Sequence, residues 1–220
     1  MTHPLDLRTE DPFVSQAGFS LLLYNIFMQM IIGIDEAGRG PLAGPVAVGV
    51  VMIPVGFNKG FFKGIQDSKK LTASERELWF AQATEARKSG ELDFSVSLIS
   101  EKIIDRHGIS YAIRLGIMRC LVALNISEDS QIFLDGGIKA PERFTHQLTV
   151  IKGDEKIPVI SLASIMAKVT RDRKMVRLSK KFPKYGFQIH KGYGTLMHRD
   201  AIKKYGPIEA HRQSFLKNLT

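Results

Sequence analysis

Apolar positions along the chain fall into short β-branched runs and longer helical periods, and their order predicts the elements. Residues 31–34 (IIGI) and 46–53 (VAVGVVMI) read as two strands, punctuated by the Gly/Pro-rich segment 38–45. Residues 93–99, DFSVSLI, alternate polar and apolar as a half-buried strand does. Between them, LTASERELWFAQATEARKSG places Thr72 and Glu75 in a Thr-x-x-Glu capping box and Gly90 at a C-terminal stop, which predicts a helix. A short helix over 100–107 ends at Gly108, and a longer amphipathic one covers 110–124. QIFL at 131–134 and residues 147–151 are short apolar strands, and 161–182 is a long helix, apolar at Leu162, Ile165, Met166, Val169 and Val176. Strands first, then alternating helix and strand, then helices imply an α/β domain. Its expected form is a mixed sheet flanked by helices, with a helical C-terminal segment. Residues 1–18 are polar and without clear period, and the first 27 or so look unlike the rest, so the domain is placed at 28–220. Two readings of 1–27 stand: a flexible extension, or a start site assigned upstream of Met28 or Met30.

Acidic residues recur at one position in this pattern. Asp35 follows IIGI, Asp135 follows QIFL, and Asp154 follows TVIKG, each at or just past the end of an apolar strand. Ligands of α/β sheets bind at the carboxyl ends of strands. If these strands are neighbours, Asp35, Glu36, Asp135 and Asp154 converge. Gathered carboxylates repel one another, and a hard divalent cation removes the conflict. Oxygen donors without His or Cys favour Mg²⁺ or Mn²⁺ over zinc, and two such ions about 4 Å apart serve phosphoryl chemistry. The other reading of each acid by itself is a strand or turn cap; the adjacent pair inside GIDEAGRG argues against it. The pair carries a geometric demand, because neighbouring strand residues point to opposite faces. Either the backbone turns at Glu36, helped by the glycines that follow, or Glu36 contributes through its carbonyl oxygen.

Composition narrows the class. With 220 residues and 44% hydrophobic content, the chain can bury a sizeable core. No run of about 18 uncharged apolar residues is present, so no membrane span is expected. The stretch 19–34 follows Asp6, Glu10 and Asp11 and lacks the basic region and cleavage site of a secretory signal. A single cysteine, Cys120, excludes an intramolecular disulfide and a cysteine metal site, and it falls in an apolar helical period as a core residue. These features together favour the cytoplasm as the expected location. The net charge of +9 is concentrated in residues 171–204 and calls for an acidic partner, with a nucleic-acid backbone the usual one and a solvated helix face the alternative. His190 and His198 lie in this basic tail and are read as structural or phosphate-contacting, since a metal-activated water needs no histidine base.

GIDEAGRGPLAGPVAVGVV at 33–51 resembles the first motif of the ribonuclease HII family (type 2 ribonuclease H). DSKKLT at 67–72, IFLDG at 132–136, KGDEKIPVISLASIMAKVTRDR at 152–173, FPKYGFQIHKGYGTLMH at 182–198 and HRQSF at 211–215 resemble its later blocks, in order. The resemblance implies a ribonuclease H-like fold and a Mg²⁺- or Mn²⁺-dependent endonuclease. Its expected partners are RNA–DNA hybrids and duplex DNA containing ribonucleotides. It would cut the RNA strand and nick 5′ of embedded ribonucleotides, leaving 5′-phosphate and 3′-hydroxyl ends.

By the same resemblance Asp35, Glu36, Asp135 and Asp154 are the catalytic metal ligands. Glu155 and Asp172 are weaker candidates, read as a solvent-facing acid and a helix-surface charge. Gly38, Arg39 and Gly40 would hydrogen-bond the ribose 2′-hydroxyl, the group that separates ribose from deoxyribose. Tyr193 would pack on the following deoxyribose; the adjacent Gly194 stands where proline is expected in many relatives. Lys69 and Lys70, just before a helix N-terminus, and Ser164 with Lys168, one turn apart, are expected to face backbone phosphates. Solvated charge is the alternative for each lysine. A ribonuclease HIII-like enzyme acting on longer RNA would carry an extra N-terminal domain, for which 1–27 is too short. A non-catalytic hybrid-binding module would lack one of the four acids. A monomer is the default, and FLKNLT at the C-terminus is too short a signal to imply a sliding clamp.

Overall fold

In the computed structural model, which describes residues 30–217, β1 (Met30–Ala37) is the middle strand of a five-stranded sheet. Both readings of residues 1–27 lie outside the described residues. The strand order is β3-β2-β1-β4-β5, with β2 at Val46–Pro54, β3 at Asp93–Ile99, β4 at Gln131–Asp135 and β5 at Gln147–Val150. β1, β2 and β3 form an antiparallel meander, whereas β4 pairs parallel with β1 and β5 parallel with β4. The helices are α1 (Ala73–Lys88), α2 (Glu101–His107), α3 (Ile109–Ala123), α4 (Gly153–Lys156), α5 (Pro158–Lys181), α6 (Phe187–His190), α7 (Leu196–Tyr205) and α8 (Gln213–Leu216). The expected mixed sheet flanked by helices is therefore observed, and no helix of the described residues is long and apolar enough to cross a membrane.

The two faces of the sheet follow from the side-chain alternation of its strands. Ile32, Ile34, Val48, Val50, Ile132 and Leu134 face α2 and α3, packing on Ile104, Ile113, Ile117 and Leu121. Val51, Ile53 and Phe94 face the other way, toward Ala83 and Ala86 of α1 and Val159, Leu162, Ala163 and Met166 of α5. Each such aliphatic side chain contributes roughly 1.5–3 kcal/mol on full burial. A third, smaller core gathers Ala43, Met175, Tyr185, Phe187, Ala201 and Ala210 and ties the C-terminal helices to the loop after β1.

α1 begins where the capping box placed it: Thr72 Oγ1 accepts from Glu75 N–H and Glu75 Oε2 accepts from Thr72 N–H. α5 departs from expectation. It starts at Pro158, whose missing N–H and fixed φ suit the first helical position, and every residue from Val159 to Ala167 is buried. The half over the sheet is thus buried all round, Ser161 and Ser164 included, and Val176, counted on the apolar face, is exposed. The one-turn α4 was not anticipated.

α5 presses directly on the strands. A Cβ on Gly33 would lie 2.4 Å from Val159 O, and one on Gly49 2.3 Å from Ala163 O. Only glycine lets helix and strand backbones approach this closely. Gly33→Ala is therefore expected to cost about 3 kcal/mol by forcing α5 off the sheet. A urea unfolding curve with unchanged slope and a lower midpoint is the check.

Candidate active site

Parallel pairing brings the first two acids together. Ile34 and Leu134 are register partners, and the next residues, Asp35 and Asp135, close the two strands side by side on the α5 face. Asp135 Oδ1 accepts a hydrogen bond from Gly153 N at 2.7 Å, which draws α4 to the end of β4. The turn into α4 passes through Lys152 in the left-handed region, φ 54°. Asp154 then points back to the strand ends, its own carbonyl held by Ser161 Oγ at 2.6 Å. One carboxylate oxygen each from Asp35, Asp135 and Asp154 lies within 4.8 Å of the others. Asp35 and Asp154 are buried and Asp135 is half-buried.

This crowding is costly without a cation. Burial raises the Asp35 carboxyl well above its ordinary range; the charges of Glu36 and Asp135 push the same way, and the Ser164 hydroxyl opposes them. Asp154 is raised by burial and by Asp135 and Asp67, with Lys69 opposing. Lys69 Nζ stands 3.4 Å from Asp154 Oδ2.

Glu36 corrects one expectation. β1 does not turn there: Glu36 remains paired with Val48 and Ala37 with Ala47. β4 leaves β1 after Leu134, but the antiparallel ladder to β2 continues and holds the strand regular. The Glu36 side chain consequently leaves by the opposite face and is not one of the three gathered acids. Its Oε1 accepts from Arg39 Nη1 at 3.0 Å, while Oε2 is buried with no hydrogen-bond partner. Burial raises its carboxyl, Arg39 opposes, and the Asp135 charge adds to the rise. Three gathered carboxylates with no His or Cys among them are a donor set suited to a hard divalent cation, and Glu36, whose buried Oε2 has no partner, interacts through charge with two of them, Asp35 and Asp135.

The family model for Ribonuclease HII matches residues 32–218. The chain belongs to the ribonuclease HII family. It is 43% identical to the ribonuclease HII of Caldicellulosiruptor bescii over 90% of this chain and 91% of that protein. It is 45% identical to that of Ruminiclostridium cellulolyticum over 86% and 70%. Among solved structures it resembles the ribonuclease H2 of Pyrococcus horikoshii, with TM-score 0.65, 30% identity and 86% and 100% of the two chains covered. It also resembles the ribonuclease HII of Archaeoglobus fulgidus solved in a PCNA complex, with TM-score 0.66, 27% identity and 84% and 94% covered. Like the family, it is a metal-dependent endoribonuclease.

The remaining residues singled out from the ribonuclease HII motifs are placed as follows. Gly38 is buried, while Arg39 and Gly40 are exposed. Leu42 N donates to Gly192 O at 2.8 Å, so the loop carrying Gly38, Arg39 and Gly40 is joined to the loop carrying Tyr193. The Tyr193 ring is 43% exposed and flanked by Lys168 Nζ and the Arg171 guanidinium, 5.9 and 5.8 Å from its centroid. Ser164 is buried and shares a 2.8 Å hydroxyl contact with Ser68, docking the DSKKLT block on α5. Lys168 is half-buried and paired with Asp172 at 2.9 Å. Lys70 reaches Glu155 at 3.1 Å. The lysines expected to face phosphates are thus each paired with an acid of this chain.

Three features escaped the sequence reading. Asp67, inside DSKKLT, is buried; it accepts from Lys69 N at 2.9 Å and adds to the field at Asp154. Arg171, counted with the basic surface, and Arg212 are fully buried. His190, His198 and His211 form a buried group behind Tyr193, in keeping with a structural role for the first two. Their bonds set the tautomers. His211 Nδ1 accepts from Ile208 N, so its Nε2–H donates to His198 Nε2 at 3.1 Å. His198 Nδ1–H in turn donates to Tyr193 O at 2.9 Å.

Two pH effects follow. Asp35 has a raised folded-state value, so its contribution to metal-free stability is intact below the ordinary carboxylate range and lost as pH rises through the raised value. Asp35→Asn should therefore raise the melting temperature of the metal-free protein at about pH 7.5 by roughly 2–4 °C, the shift that about 1 kcal/mol gives in a domain of this size. The gain should vanish below about pH 3; thermal melts in EDTA measure both. His198 is lowered to about 4 from 6.5, first by burial. Its contribution is complete above pH 6.5 and lost as pH falls toward 4, and an NMR titration should show its ring neutral down to about pH 4.

Proposed function

We propose that the protein cuts the RNA strand of RNA–DNA hybrids and nicks duplex DNA on the 5′ side of an embedded ribonucleotide, leaving 5′-phosphate and 3′-hydroxyl ends. The observation that carries this reading is the convergence of Asp35, Asp135 and Asp154; the unpartnered Oε2 of Glu36 supports it. Asp35, Asp135 and Asp154 would hold Mg²⁺ or Mn²⁺, with Glu36 completing the set from the far side of β1. When bound, two such ions supply an activated water and Lewis-acid stabilisation of the leaving 3′-oxygen.

The chain's own groups do the rest. Gly153 N–H fixes the rotamer of Asp135, and Ser161 fixes the backbone of Asp154. Lys69 offsets one negative charge at the edge of the cluster and meets the incoming phosphate. Gly38, Arg39 and Gly40 read the 2′-hydroxyl, and Tyr193, held to them by the Leu42–Gly192 bond, packs on the next sugar. A groove of about 600 Å³ beside Arg39, lined also by Tyr111, Arg114 and Lys139, gives the polyanion a cationic path away from the acids.

The test is a labelled duplex with one ribonucleotide, incubated with Mg²⁺ or Mn²⁺. The wild type should give a single 5′ nick, and Asp35→Asn should lose about 10²–10³-fold or more of kcat/KM, the scale of one lost transition-state charge contact. Cutting of long hybrids without a nick at the single ribonucleotide would assign the enzyme to the ribonuclease HIII-like reading instead.

A further inference from the structure

Arg171 on α5 and Arg212 just before α8 have no accessible surface. Neither forms an ion pair among the described residues; both spend their donors on backbone carbonyls. Arg212 donates from Nη2 to Gly38 O at 2.7 Å, from Nη1 to Arg39 O at 2.8 Å and from Nε to Gly44 O at 2.9 Å. Arg171 donates from Nε to Pro45 O at 2.9 Å, from Nη2 to Ala43 O at 3.2 Å and from Nη1 to Lys191 O at 3.0 Å. Removing an unpaired guanidinium from water costs several kcal/mol, which carbonyl contacts only partly offset. Stability alone would be served as well by apolar side chains of similar volume. Every one of these acceptors lies in the loop after β1 or in the turn before Tyr193.

The geometry says what the contacts accomplish. The peptide unit is planar and trans, so its C=O and N–H point in opposite directions. The Gly38 carbonyl shares its peptide with the Arg39 amide, and the Arg39 carbonyl with the Gly40 amide. With both carbonyls aimed inward at Arg212, both amides are aimed outward. Arg39 and Gly40 are exposed, and neither amide has an acceptor among the described residues. A cation bonded to the carbonyl end also polarises each peptide and makes its N–H a stronger donor. Two adjacent carbonyls addressed by Nη1 and Nη2 require a planar fork, which lysine lacks. Gly38 is essential to this packing: its φ is +93°, and a Cβ there would lie 2.0 Å from Arg171 Nε.

We propose that Arg212, braced by Arg171, is a positioning residue for substrate recognition: it turns the Arg39 and Gly40 amides outward as a paired donor for a sugar oxygen of the nucleic acid. The inference rests on the reading above, in which that oxygen is the ribose 2′-hydroxyl.

The experiment measures affinity by fluorescence anisotropy in EDTA, for a duplex with one ribonucleotide and for the same duplex in all-DNA form. Wild type should favour the ribonucleotide duplex by about tenfold, the worth of one net hydrogen bond. Arg212→Lys should lose that margin while its all-DNA affinity stays within about twofold of wild type, since the phosphate contacts that set non-specific binding are untouched. Gly40→Pro deletes one of the two donors at an exposed position where an added Cβ meets nothing within 4 Å. It should lose the margin likewise, and it keeps the question answerable if Arg212→Lys does not fold. A margin retained by Arg212→Lys, or by Gly40→Pro, overturns the proposal. Equal weakening of both duplexes, in step with a lower melting temperature, also overturns it, because that is a merely structural role. A wild type with no margin sinks the 2′-hydroxyl reading itself, a result visible before any variant is measured.

Discussion

Three like charges held within 4.8 Å of one another, two of them buried, are the constraint that organises this molecule. Electrostatics disperses such a group unless the backbone fixes it from several directions at once. Here β1 and β4 supply two of the acids through parallel register, and a single bond from Gly153 N to Asp135 brings in the third. α5, laid on Gly33 and Gly49 with no Cβ between, packs directly on the strands that lead into the cluster and brings the Ser164 hydroxyl to Asp35. The cost of gathering the acids is offset when a cation occupies their midst, so fold and metal binding are coupled.

A second constraint fixes the loop after β1 and uses different parts of the chain. The loop after β1 is bound on its inner side by two buried guanidinium groups, and its backbone is joined to the turn before Tyr193 and to residues 210–212. Behind Tyr193, His198 and His211 form a donor–acceptor series that is satisfied when both are neutral, with His190 stacked on His198. One short segment therefore presents different faces: Asp35 faces α5, Glu36 the other side, and Arg39 and Gly40 the solvent, while Gly38 is buried.

Much of this was legible in the sequence. β-branched runs and the Thr72–Glu75 box located strands and a helix because their signals are local. The recurrence of Asp35, Asp135 and Asp154 after apolar runs marked the acids because a single such charge can cap a strand, whereas three at the same position in the pattern point to one place. Glu36 was harder: local reasoning left either a turn or a contribution through its carbonyl oxygen, and the β2 ladder rules out the turn, keeping the strand regular and sending the side chain to the other face. The lysines were legible as charge but not as partners, since Asp154, Glu155 and Asp172 lie across a fold from two of them and one helical turn from the third.

By itself the sequence determined the five strands and the helices among them, the acidic residues at the strand ends and the family, because periodicity, caps and motif spacing are written in neighbouring residues. Only the tertiary structure decided that Arg171 and Arg212 are interior, that Asp67 adds to the carboxylate field, and that His198 touches His211. A basic residue in a basic stretch looks solvated until the chain folds over it. Arg212 and Gly38 are distant in the chain, and their contact is fixed by the C-terminal helices packing back on the loop after β1, which no local pattern encodes.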